Sequence, residues 1–171
     1  MTIKHLECLI EVTMQMTFEA EGGGKRVFIV EGLKGMRPGL AGRLRREAGP
    51  LDSGKAAGPR QSLQAILHFK PDIVLLDMPK AGKVWMRLIK QLKAANPQIK
   101  ILAVCAQGDM ISANRALRAG ADGFAVRKER ADELLHAVRD VLAGRLYVSE
   151  RVLAASFKPR RSAGSKPRPA R

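Results

Sequence analysis

The chain has 171 residues, enough for one domain with a core of its own plus some additional chain. Its hydrophobic fraction of 46% is that of a globular protein, and its formal net charge of +15 points to anionic partners: nucleic acid, an acidic protein or an anionic surface. Two cysteines, Cys8 and Cys105, exclude a disulfide framework and fit a reduced cytoplasmic setting, and no apolar run nears the roughly 18 residues of a membrane span.

Residues 1–24 read as an appendage. Met1 to Ala20 has the pattern of a short amphipathic helix, with Leu6, Leu9, Ile10, Val12 and Met16 as apolar positions, and Glu21-Gly22-Gly23-Gly24 follows as a linker. This segment is either a partner-binding helix or a poorly ordered extension. Glu7 and Glu11 interrupt it and make it a poor signal peptide. From Lys25 onward, apolar runs alternate with amphipathic stretches. The first strand is expected at about 26–31 and a helix at about 36–47, where Met36, Leu40 and Leu44 are spaced by four. Residues 51–57 fill a second strand slot, but their Gly and Asp content marks a frayed edge strand. A helix at about 60–69 carries Leu63, Ile66 and Leu67, and the third strand at 72–77 ends on Asp77.

A helix at about 84–95 shows Val84, Leu88, Ile89 and Leu92, and Asn96-Pro97 ends it. The fourth strand is expected at 99–104, a helix at about 110–119 stopped by Gly120, and the fifth strand at 122–127. The last expected helix, about 131–143, has Leu134, Leu135, Val138, Val141 and Leu142 on one face, with Gly144 closing it. The tail from Lys158 is rich in Pro, Arg, Lys, Ser and Gly and reads as disordered. The expected organisation is therefore an extension at 1–24, a folded unit at 25–157 and a basic tail at 158–171.

Strand runs that are apolar at every position are covered on both faces, as in parallel sheets. Right-handed crossovers then give a doubly wound α/β sandwich with a five-stranded parallel sheet, order 2-1-3-4-5, of the flavodoxin-like kind. In that order strands one and three are neighbours at the switch point, and ligands bind outside the carboxyl ends of the strands. The residues expected to gather there are Glu31, Asp77, Cys105 and Arg127.

Several pieces of the chain carry a family resemblance. They are Val27-Phe28-Ile29-Val30-Glu31 with Arg37-Pro38-Gly39-Leu40, Lys70-Pro71-Asp72-Ile73-Val74-Leu75-Leu76-Asp77, Ala116-Leu117-Arg118-Ala119-Gly120-Ala121-Asp122-Gly123-Phe124, and Gly144-Arg145-Leu146-Tyr147-Val148-Ser149. In this order and spacing the stretch Lys25–Phe157 resembles the receiver domain of two-component response regulators, most of all the NarL/FixJ-type subfamily. The resemblance implies that Asp77 accepts a phosphoryl group from a sensor histidine kinase. It implies a Mg²⁺ ion held by acidic residues after strand one, by the phosphoacceptor, and by a backbone carbonyl two residues on; here these are Glu31, Asp77 and the Pro79 carbonyl. It implies phosphoryl contacts from Cys105 and Arg127, and a switch aromatic at Phe124. A hard cation with oxygen ligands suits a site where a carboxylate attacks a phosphoryl group.

The chain departs from the family pattern around Asp77. The acidic pair reads Glu31-Gly32, which removes a metal carboxylate and weakens the Mg²⁺ site. Cys105 replaces a hydroxyl with a weak donor, and Arg127 replaces a lysine, with Lys128 beside it. The loop after Asp77 reads Met78-Pro79-Lys80-Ala81-Gly82, and Trp85 stands at a customary glycine. Two readings stay open. Asp77 is phosphorylated through a weaker metal site, or the domain works without phosphate, with Arg127 or Lys80 neutralising Asp77. A strand-end carboxylate with no switch is the plainest alternative. For Cys105, a redox role stands against a buried inert thiol. His5, His68 and His136 lack metal-ligand spacing, and Gly22-Gly23-Gly24-Lys25 lacks the spacing of a phosphate loop.

Subfamily members continue into a helix-turn-helix domain, and here only a connector-like tail follows, so the chain reads as either truncated or a stand-alone receiver. Lys158, Arg160, Arg161, Lys166, Arg168 and Arg171 give the tail six cations and no acid. They could hold nucleic-acid phosphates without base specificity. The functional expectation is a signalling module partnered by a histidine kinase or another signalling protein, with strand four, the helix at 110–119 and strand five as the partner surface. A homodimer is compatible with this reading. The competing expectation is a phosphate-independent receiver used as a protein-interaction or nucleic-acid-associated module. No nucleophile–base pair or cofactor motif marks an enzyme.

Overall fold

The computed structural model describes residues 25–31, 53–57, 59–78, 81–106 and 108–156, with residues 31, 53–57, 59–61 and 156 described by backbone alone. In chain order the elements are β1 (Val27–Glu31), β2 (Ser53–Ala57), α1 (Pro59–Phe69), β3 (Ile73–Met78), α2 (Lys83–Ala95) and β4 (Lys100–Cys105). They continue with α3 (Met110–Ala119), β5 (Gly123–Val126), α4 (Ala131–Leu142), β6 (Tyr147–Val148) and α5 (Glu150–Ser156). The strands form one sheet in the order β2-β1-β3-β4-β5-β6, with every pairing parallel. The expected order of the first five strands is found, and a two-residue sixth strand adds to its β5 edge. The extension at 1–24, the helix expected at 36–47 and the tail at 158–171 lie outside the described residues.

Both faces of the sheet are covered, which is why β3 is buried at all six positions. One face packs Phe28, Val74, Leu76, Ile101, Ala103 and Phe124 against Ile66 of α1, Trp85, Leu88, Ile89 and Leu92 of α2, Ala113 and Ala116 of α3, and Val152 of α5. The other packs Ile29, Ile73, Leu75, Leu102 and Val104 against Leu134, Leu135, Val138 and Val141 of α4. No described helix is long and apolar enough to cross a membrane.

Local chemistry sets where the elements start and stop. Asp109 caps α3 by accepting the Ser112 N–H and Oγ–H, both at 2.8 Å. Gly120 ends α3 in the left-handed region at φ +110, a conformation that carries little penalty only for glycine. The N-terminal edge of the sheet is tied by two carboxylates. Asp72 accepts the Arg26 N–H at 2.7 Å, and Asp122 accepts the Ile101 N–H at 2.8 Å and the Lys93 ammonium at 2.7 Å. With that edge fixed, the opposite edge is free to carry chemistry.

Candidate functional site

Because all strands run parallel, their C-terminal ends meet along one edge. Glu31 of β1 is in register with Asp77 of β3, Met78 with Cys105 of β4, and Cys105 with Val126 of β5. The lacing continues past the ladder: the Ala106 N–H donates to the Met78 carbonyl at 3.3 Å, and the Arg127 N–H to the Cys105 carbonyl at 2.8 Å. The ends of β3, β4 and β5 therefore form one contiguous rim.

Asp77 sits in this rim with its side chain 1% exposed. A buried carboxylate without a cation would cost several kcal/mol. Arg127 supplies that cation: its Nε donates to Asp77 Oδ1 at 2.7 Å, and its Nη2 donates to the same oxygen. Charge-assisted bonds of this kind are roughly twice as strong as neutral ones. Arg127 is the residue after β5, so the strand itself aims its side chain across β4 at Asp77.

Sequence reasoning missed Glu129. It lies in a run of charged residues, Arg127-Lys128-Glu129-Arg130, that reads as solvated surface, yet it is only 2% exposed. Its Oε1 accepts the Val126 N–H at 3.1 Å while its own N–H donates to the Val126 carbonyl at 2.9 Å. These two bonds close the turn that carries Arg127. The Tyr147 hydroxyl of β6 donates to Glu129 Oε2 at 3.5 Å. Burial, and then the negative charge of Glu129, push the Tyr147 phenol well above the ordinary tyrosine range. No local signal announces this arrangement, since Tyr147 lies 18 residues away.

Of the residues expected at the site, Asp77, Cys105 and Arg127 come together on the rim. Cys105 is fully buried and belongs to the first core cluster, as does Phe124. Trp85 is buried in that cluster with Met78, the neighbour of Asp77. Glu31 is placed by its backbone beside Asp77, while Gly32, Pro79, Lys80 and the six tail cations lie outside the described residues. His68 and His136 are exposed on α1 and α4, and His136 Nε2 lies 3.4 Å from Asp140. Among the described residues no three His, Cys, Asp or Glu side chains form a metal-holding group. The one described side chain of the expected metal set, Asp77, is engaged by Arg127. The Glu31 side chain and the Pro79 carbonyl, the other members of that set, lie outside the described residues.

Comparison with known proteins gives the same picture. The family model for the response regulator receiver domain matches residues 27–139. The response regulator GacA of Pseudomonas viridiflava is 30% identical over 138 residues, which cover 78% of this chain and 64% of that protein. The chain thus spans less than two thirds of that relative's length. The chemotaxis protein CheY of Thermotoga maritima is 30% identical over 118 residues, covering 69% of this chain and 98% of that one. Among solved structures, the signal receiver domain of the response regulator NarL from Mycobacterium tuberculosis superposes with a TM-score of 0.63 at 25% identity, over 72% of this chain and all of that one. By sequence and strand order, this chain belongs to the response regulator receiver domain family of two-component signalling.

Proposed function

We propose that this chain is a phosphoryl-accepting receiver module in which Asp77 is the acceptor and Arg127 provides the positive charge at the acceptor oxygen. The observation that carries this reading is the buried Asp77 carboxylate with both Arg127 donors on one oxygen. In the transfer, the P–N bond of a phosphohistidine on a partner kinase breaks as a P–O bond to Asp77 forms. The electron pair stays on the leaving histidine nitrogen, which takes a proton from water. Two anions approach each other in this step, so a fixed guanidinium lowers the repulsion. Once the phosphoryl group is attached, the planar fork of Arg127 matches two of its oxygens. Cys105, Glu31 and Pro79 are assigned no step, and the transfer is derived from Asp77 and Arg127 alone.

Receiver domains work with histidine kinases and related signalling proteins, so the partner is a protein and the chain acts as a signalling protein, not an enzyme. We place it in the cytoplasm, with residues 25–157 as the receiver unit, 1–24 as an extension and 158–171 as a basic tail. Phe124, fully buried, is assigned the aromatic switch position. One observation favours a second reading, a phosphate-independent protein-interaction module: Arg127 already neutralises Asp77 in the unmodified chain.

Intact mass after incubation with a small phosphodonor and Mg²⁺, on wild type and Asp77→Asn, tests the proposal. A phosphoryl adduct on the wild type alone is the expected result. A natively folded wild type with no adduct from either the small donor or a panel of kinases would leave the second reading.

A further inference from the structure

Charge is unevenly placed on the two faces of the sheet, and the helical acid on the first face is Glu150 at the start of α5. Helices α1, α2 and α3 share one face and contain no Asp or Glu. Helix α4, on the other face, carries Asp132, Glu133 and Asp140. On α2, Lys83, Arg87 and Lys90 are exposed at spacings of four and three, which puts them in one line along the helix. On the neighbouring α3, Arg115 and Arg118 are exposed in a second line. None of these five cations has a salt-bridge partner among the described residues, whereas Lys25, Lys93, Lys100, Arg127, Arg130 and Arg145 all do.

We propose that the α2–α3 face docks the phosphate backbone of double-stranded nucleic acid. From Lys83 to Lys90 the line is about 10 Å long at the helical rise, and packed helices lie about 8–10 Å apart. Five cations therefore occupy a patch roughly 10 Å square, a length over which duplex DNA presents about six phosphates. The uncharged polar side chains exposed at the patch, Gln91 and Asn114, donate hydrogen bonds, and the tryptophan of α2, Trp85, is buried. The face can hold phosphates and offers no ring for base stacking, so binding is independent of sequence. An acidic protein would need an apolar anchor at the centre of its footprint. The exposed apolar residues of this face, Val84, Met110 and Ile111, border the patch at its N-terminal end, Val84 beside Lys83 and Ile111 one turn before Arg115, and not at its centre among Arg87, Lys90, Arg115 and Arg118. This surface does not depend on the chemistry of Asp77.

The test is fluorescence anisotropy of the full chain with a labelled duplex of about 20 base pairs, over a salt series. Wild type is compared with Arg87→Ala/Arg115→Ala and with the tail variant Arg160→Ala/Arg161→Ala. Each released counterion contributes about 0.9 to the log–log salt slope. The face variant is therefore expected to lower the slope by about 1.8, shrinking the loss of affinity between about 50 and about 200 mM salt by roughly 12-fold. Both substituted arginines are exposed, so the fold is retained and is checked by Trp85 emission. Three results would overturn the proposal: no duplex binding by wild type, a face variant with the wild-type slope while the tail variant loses it, or equal displacement of the duplex by polyglutamate at matched charge.

Discussion

Replacing Arg127 with alanine tests the electrostatic core of the site. The substitution leaves a carboxylate whose side chain is 1% exposed without its cation, and removing one partner of a buried pair costs about 3–5 kcal/mol. Arg127 itself is 21% exposed, so water can follow it into the vacated space, and the lower end of that range, about 3 kcal/mol, is expected. The double variant Asp77→Asn/Arg127→Ala removes the stranded charge and should lose only about 1 kcal/mol, the scale of a missing hydrogen bond. The second substitution should therefore restore about 2 kcal/mol of what Arg127→Ala alone loses. The pH dependence gives an independent check. In Arg127→Ala, burial without a cation raises the Asp77 pKa above its unfolded value of about 3.9. Stability is then greatest below that value and falls as pH rises through the folded pKa, so the deficit at pH 7 shrinks on acidification. Urea unfolding followed by Trp85, the only tryptophan and 8% exposed, reads all of these variants. A deficit under about 1 kcal/mol that is the same at neutral and acid pH would refute the reasoning, because that is how an exposed ion pair behaves.

Two further outcomes are expected. Tyr147 is the only tyrosine, so phenolate absorbance titrates it alone; its midpoint should lie above about 10 in the folded chain and return there in denaturant. The raised value means that this contribution to stability is intact below about pH 10 and is lost as pH climbs through the folded pKa, and Glu129→Gln should lower the midpoint part of the way because burial, the larger cause, remains. Equal midpoints in folded and unfolded chain would show that Tyr147 is solvated. Gly120→Ala and Gly144→Ala both place a side chain at positive φ, +110 and +80, and each should cost about 1 kcal/mol in urea unfolding. Gly120→Ala should cost the more, since its new methyl would meet Lys93 Cγ at 3.0 Å whereas the one at Gly144 meets nothing within 4 Å; the reverse ranking would contradict this packing.

The sheet was legible where burial leaves its mark on composition. Ile73 to Leu76 is apolar at every position because both faces are covered, and even the weak strand at 53–57 could be placed by its slot between two units. Helix α3 was legible at its C-terminal end because Gly120 is a cap residue with a local mechanism, whereas its Asp109 cap was not singled out. Strand β6 and helix α5 were not. Two residues cannot show a period, and α5 buries little beyond Val152, so neither leaves a pattern in the sequence. At the site, Arg127 is legible as a partner for Asp77, since a cation after β5 must stand near the end of β3 in this strand order. Glu129 escaped because its burial depends on β6, an element that only the folded chain supplies.

The attachment of that last strand has a mechanical consequence. The Ser149 N–H donates to the Phe124 carbonyl at 2.9 Å, and Val152, fully buried, wedges α5 into the cluster that contains Phe124 and Met78. A pull on the chain beyond residue 156 is therefore borne by α5 and passed as shear onto β5. Three residues past Phe124, directly after that strand, is Arg127, whose side chain grips Asp77. Helix α5 and the Asp77–Arg127 pair are in series on one load path, so tension at one is felt as strain at the other.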